Sequence, residues 1–122
     1  MMQGYRSVST NPRIAVCFML SGRFETLDLW KKWLKSGEGV VGFIHISNAD
    51  SDEKQEIDQF ASETNSQIVP SIPTTWGTTS LTRAECILYD AAFNHSLSIH
   101  HCWLVSEKTI PVVRISKLLE YS

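Results

Sequence analysis

The sequence predicts an α/β domain: a mostly parallel sheet of about four strands with helices on both faces. Three observations lead there. Apolar runs of strand length alternate with amphipathic stretches of helical period, in the order βαβαβαβα. The runs are near-continuous, as in strands buried on both faces. Each link between successive runs is long enough for a right-handed crossover.

Residues 1–12 (MMQGYRSVSTNP) are polar and read as a flexible lead-in, leaving 13–122 as a single domain. Arg13–Leu20 (RIAVCFML) is the first strand, stopped by Ser21-Gly22. Leu27, Trp30, Trp33 and Leu34 then recur at helical spacing, opposite Lys31, Lys32 and Lys35, with a stop at Gly37. Val40–Ile46 (VVGFIHI) is the second strand. Asp50, Asp52 and Glu53 open a helix whose apolar face is Ile57, Phe60 and Ala61; its outer face is acidic and solvated. Gln67–Pro70 is a short third strand, and Pro70 and Pro73 stiffen the loop after it. From about Thr79 a long helix turns Leu81, Ala84, Leu88 and Ala91 inward and ends near Asn94. Thr82 with Glu85 spells a capping box, with Thr79 or Ser80 as alternative caps. His101–Val105 (HCWLV) is the fourth strand, and after Pro111 a closing helix carries Ile115, Leu118 and Leu119.

Composition narrows the function. With 43% hydrophobic and 20% charged residues the chain can build a real core, which excludes intrinsic disorder. A net charge of −2 lacks the basic surplus that nucleic acid or an anionic membrane would attract, so neither is an expected partner. Cys17, Cys86 and Cys102 are odd in number, widely spaced and set in apolar runs, which reads as buried thiols rather than a disulfide framework. The longest apolar run, Ile14–Leu20, is too short to span a bilayer, so no membrane segment is expected. Arg6 and Arg13 precede that run, but Ser21-Gly22-Arg23-Phe24 is a poor leader-cleavage site. The compartment stays open.

In an open parallel sheet, ligands sit beyond the carboxyl ends of the strands. The loops there carry neither G-x-G-x-x-G nor G-x-x-x-x-G-K-[ST], and no acidic cluster marks a phosphoacceptor domain. No G-x-S-x-G elbow occurs either. Asp50-Ser51-Asp52 spells D-x-D, a metal and nucleotide signature, yet its place suits a helix cap better. His100-His101-Cys102 alternates across a strand, so its side chains diverge and no metal is expected. His45 reads as a core-edge histidine bonded to a backbone carbonyl, with catalysis as the competing reading.

Two ordered motifs add something more specific. Trp76-Gly77-Thr78-Thr79-Ser80-Leu81-Thr82-Arg83-Ala84-Glu85 is followed by Trp103-Leu104-Val105-Ser106-Glu107-Lys108-Thr109-Ile110-Pro111. Together they resemble the core-2/I-branching β-1,6-N-acetylglucosaminyltransferase family and its plant and bacterial relatives. That family shows a W-G-x-x-S-L-v-x-A-E helix and then a strand running into S-E-x-x-I-P. Ile14–Leu20 and Phe43-Ile44-His45-Ile46 sit where the family has its first strand and its "Y-I-H" second strand. Coverage runs from about Arg13 to the C-terminus, the N-terminal portion of such proteins.

The resemblance implies a Rossmann-like, GT-A-type fold and inverting transfer of a sugar, typically GlcNAc, from a UDP donor to a glycan hydroxyl. By position it assigns nucleotide-sugar binding to Leu20, Ser21, Ser47, Asn48 and Pro73, with Ser106 and Glu107 near the sugar. Ser47 stands where many members have Asp. Trp76, Gly77, Ser80, Glu85 and Pro111 are the structural motif residues; Trp76 wedges the helix against the sheet or, in the alternative, stacks on a sugar. Inverting transfer needs a general base and positive charge on the departing diphosphate. The family draws both from beyond S-E-x-x-I-P, so the chain is expected to act as a truncated donor half with little turnover, and Glu107 is the one substitute base to name. A metal cofactor is not expected. An uncovered sheet edge would favour self-association or a partner chain. Family members in eukaryotes are Golgi-anchored. The competing readings are a non-catalytic nucleotide-binding or protein-interaction module, and a generic α/β domain.

Overall fold

Eight elements follow the expected alternation: β1 (Ile14–Ser21), α1 (Leu27–Lys35), β2 (Val40–Ser47), α2 (Ser51–Thr64), β3 (Gln67–Ile68), α3 (Thr79–His95), β4 (His101–Ser106) and α4 (Ile115–Leu119). They come from a computed structural model, which describes residues 12–74, 79–96, 98–106, 108–111 and 114–120. Apart from Pro12, the lead-in read over residues 1–12 lies outside these.

The four strands form one parallel sheet in the order β3-β2-β1-β4. Ile14 aligns with Val40 on one side and His101 on the other; Met19 aligns with His45 and Ser106. This is a Rossmann-like arrangement. The central place of β1 follows from its composition, since Ile14–Phe18 and Leu20 are all essentially inaccessible. Strand alternation splits these residues between two cores. Val16, Phe18 and Leu20 pack with Ile44 and Ile46 against Trp30 and Leu34 of α1 and Ile57, Phe60 and Ala61 of α2. Ala15, Cys17 and Phe43 pack against Leu88 and Ala92 of α3. Helices cover both faces.

Local details explain where the elements stop. The third strand closes at Ile68, short of the expected Pro70, although Val69 N–H still donates to the Ile44 carbonyl at 2.9 Å. Helix α2 begins with a reciprocal box: Asp50 accepts from Glu53 N–H at 2.8 Å, and Glu53 accepts from Asp50 N–H at 3.0 Å. Asp50 of the D-x-D triplet is thus a cap. Asp50→Ala is expected to lower stability by about 1 kcal/mol, read as a shifted denaturant midpoint.

Helix α3 begins at Thr79, so Thr82 is already inside it. The Thr82–Glu85 capping box does not form, because a cap residue must precede the first helical turn. Cys86 also departs from expectation. Ala84 and Leu88 take the inner face of α3 and leave Cys86 exposed, whereas Cys17 is buried and Cys102 half-buried. Burial pushes the Cys17 thiol up to about 12, with Cys102 beside it adding to the shift.

Beyond β4 no further strand is paired among the described residues. Trp103 is 45% exposed and Leu104 38%, so this edge strand is open where the other long strands are covered. No helix among the described residues is long and apolar enough to cross a membrane.

Candidate functional site

The chain builds outward from β1 to β2 and β3, then returns to the opposite side of β1 for β4. At that reversal the loops leaving β1 and β4 part, and a crevice opens beyond the carboxyl ends of the strands. A cavity of about 450 Å³ lies there. Ser21, Ser47, Thr74, Ser106, Thr109 and Glu85 supply its polar wall; Met19, Leu81, Leu104 and Val105 supply the apolar one. Hydroxyls and a carboxylate set against apolar side chains suit a polyhydroxylated ligand.

The backbone there is held tightly. Gly22 and Asn48 both take positive φ, at 80° and 58°, conformations open to glycine and tolerated by asparagine. Gly22 N–H donates to the Ser47 carbonyl at 3.0 Å, tying the loop after β1 to the end of β2. Asn48 Nδ2 donates to Ser21 Oγ at 3.0 Å. The Ser47 and Thr74 hydroxyls share a hydrogen bond of 2.6 Å. On the other side of β1, the Thr109 carbonyl accepts from Thr26 Oγ1 at 2.8 Å and Trp30 Nε1 at 2.7 Å, anchoring the loop after β4 to α1.

A second cavity, of about 660 Å³, adjoins the first through Ser47. It lies between the end of β2, Lys54 on α2, and the loop from Val69 to Pro73. Among the described residues lining either cavity, Lys54 is the one cation.

The residues singled out in the sequence fall into distinct places. Ser21, Ser47 and Ser106 line the first cavity; Ser47, Asn48 and Pro73 line the second. Leu20 reaches the site only through its carbonyl, which accepts from Ser47 Oγ at 3.4 Å; its side chain is buried in the core beneath α1 and α2. Ser80 is half-buried in the first turn of α3, and Pro111 is half-buried after the β4 loop. Trp76, Gly77 and Glu107 lie outside the described residues.

Glu85, read from the sequence as a motif and capping residue, lines the first cavity instead. Its spacing held the signal: Leu81 and Glu85 are four apart and so share a helix face. Thr74 and Thr109 were missed because a loop has no period that would mark them.

His45 corrects an expectation. It is wholly buried, and its Nε2 accepts a hydrogen bond from Ile72 N–H at 3.0 Å rather than meeting a carbonyl. An accepting Nε2 carries no proton, so the neutral ring holds its hydrogen on Nδ1. Among the described residues Nδ1 makes no hydrogen bond of good geometry. Burial pushes the His45 pKa below its ordinary value of 6.5, opposed in part by its own backbone.

A protein-family model described as Core-2/I-Branching enzyme matches residues 14–122. Comparison with curated proteins returns no match, and neither does comparison with solved structures.

Proposed function

Because the chain belongs to the Core-2/I-branching enzyme family, a family of glycosyltransferases, we propose that its two adjoining cavities bind a UDP-sugar, with GlcNAc as the sugar. In this reading the fold serves as the donor-binding part of a GT-A-type transferase. The uridine occupies the cavity bounded by Ser47, Asn48 and Pro73; the sugar extends toward Ser21, Glu85 and Ser106. One observation carries the proposal: a hydroxyl-lined cavity at the reversal of strand order that shares Ser47 as a lining residue with a second cavity large enough for a base.

Inverting transfer to a glycan hydroxyl would additionally need a base and charge on the leaving diphosphate. Glu85 is the carboxylate at the first cavity and Lys54 the cation at the second. The sparse positive charge among the described residues favours a second reading, in which the chain binds the nucleotide without turning it over.

A thermal titration tests binding. UDP at about 100 times its dissociation constant is expected to add about 2.7 kcal/mol to stability, a rise of several degrees in Tm. An equal response to ADP, or none to millimolar UDP, overturns the donor assignment. Incubation with UDP-GlcNAc and a core-1 acceptor then separates the two readings. Turnover whose kcat falls in a Glu107→Ala variant with KM for UDP-GlcNAc unchanged would support Glu107 as the base; no turnover leaves the binding module.

A further inference from the structure

The loop from Val69 to Thr74 walls both cavities, and two side chains from one face of β2 hold it. Ser47 grips Thr74 through paired hydroxyls, and two residues earlier His45 grips the Ile72 amide. Both residues point to the α3 side of the sheet, as their spacing of two requires. Val69, Pro70, Ser71, Ile72, Pro73 and Thr74 include no ionisable side chain, so the grip at Ile72 depends on the imidazole alone.

From this we infer that His45 is a positioning residue: its neutral ring pins the Ile72 amide and so sets the loop that forms the donor-site wall. The inference deepens the donor-binding reading above and rests on it only for its effect on ligand. The mechanism is a matter of polarity. Neutral Nε2 presents a lone pair to Ile72 N–H, whereas a protonated ring presents N–H to N–H, and the bond becomes a repulsion. Pro70 and Pro73 have no backbone N–H, so neither can offer a neighbouring donor in place of Ile72.

The surroundings leave the neutral ring in place near neutral pH. On the same face stand Cys17 of β1, Cys102 of β4, and Tyr89 and Glu85 of α3, while His95 of α3 packs edge-on against Phe43. Burial raises the pKa of Cys17, Cys102 and Tyr89, so all three are uncharged where a histidine titrates. Glu85, Cys86 and His95 are further ionisable groups that α3 carries among the described residues. Burial is the largest influence on His45 and opposes its charging.

The sign of the pH effect follows. In the folded chain His45 takes up its proton at a lower pH than it does unfolded, so the unfolded state binds more protons in between. Its contribution to stability is complete above the ordinary value of 6.5 and is lost as pH falls through and below it.

Amide hydrogen exchange on the full chain reads the contact without any ligand. After correction for intrinsic exchange, protection of Ile72 is expected to fall about tenfold or more between about pH 7.5 and about pH 5. In His45→Gln, whose side-chain oxygen can accept but not titrate, Ile72 protection is expected to persist and to lose that pH dependence. In His45→Leu it is expected to be low throughout, and UDP binding about tenfold weaker with His45→Gln restoring it. Ile72 protection that is independent of pH in the unaltered chain, or unchanged in His45→Leu, overturns the inference. If Ile72 behaves as expected while the unaltered chain binds no UDP, the clamp stands and the donor assignment falls.

Discussion

Replacing Phe18 with alanine is expected to cost about 3–5 kcal/mol, a large share of the stability of a domain this size. Phe18 is wholly buried at the middle of β1. Its ring meets Phe24 at 5.5 Å, Trp30 edge-on at 5.2 Å and Phe60 edge-on at 5.7 Å between centroids. One truncation therefore opens a cavity against the loop after β1 and against both helices of that layer. The same ring lies over Gly42, where an added Cβ would stand 3.3 Å from Phe18 Cε2, so β2 comes in close on its other side. Because aromatic neighbours on three sides cannot all move in, the void stays largely unfilled. Denaturant unfolding of Phe18→Ala beside Phe18→Leu measures this. A loss below about 1.5 kcal/mol for alanine would show that the layer re-packs and that the cluster is not the keystone of the core.

Ser106→Phe is expected to weaken UDP-GlcNAc binding about a hundredfold or more, equivalent to about 2.7 kcal/mol, and UDP binding less. Ser106 ends β4 at the crevice, exposed, with its N–H donating to Thr109 Oγ1 at 3.0 Å. A phenylalanine there keeps that backbone bond and gives up the 3.2 Å contact between the two hydroxyls and the long 3.4 Å bond from Lys108 N–H to Ser106 Oγ. Its ring projects from the sheet face shared with Met19, into the 450 Å³ cavity. Stability should change by no more than about 0.5 kcal/mol, as for other exposed positions. Calorimetric titration with UDP and UDP-GlcNAc, with Tm alongside, distinguishes a blocked site from a damaged fold. Unchanged affinity would move the ligand wholly out of the crevice.

Much of this was legible in the residue pattern, and the reasons are specific. β1 could be read because Ile14 to Leu20 must satisfy two cores and so has no polar residue. α2 could be read because Asp50 and Glu53 stand at cap spacing ahead of an apolar face. Ser21, Ser47 and Ser106 could be marked as loop-end polar residues, and the paired tryptophan and proline motifs pointed to the family that residues 14–122 match. Less legible were interactions between segments far apart in sequence. Thr74 meets Ser47 across 27 positions and Thr109 meets Trp30 across 79, and nothing periodic announces either. The cap of α3 could not be chosen among Thr79, Ser80 and Thr82 because all three are hydroxyl residues within about one turn, and the helix as described encloses all three.

The order of elements, their apolar faces and the parallel character of the sheet follow from local composition, since burial of each periodic face is a property of the segment that carries it. Which strands are neighbours is a different matter. The order β3-β2-β1-β4 places Ser21 and Ser106 across one crevice and turns His45 from an apparent carbonyl partner into the acceptor for Ile72. Such contacts arise when the whole chain closes, because the free energy of a side chain with two available roles depends on which distant backbone group arrives beside it.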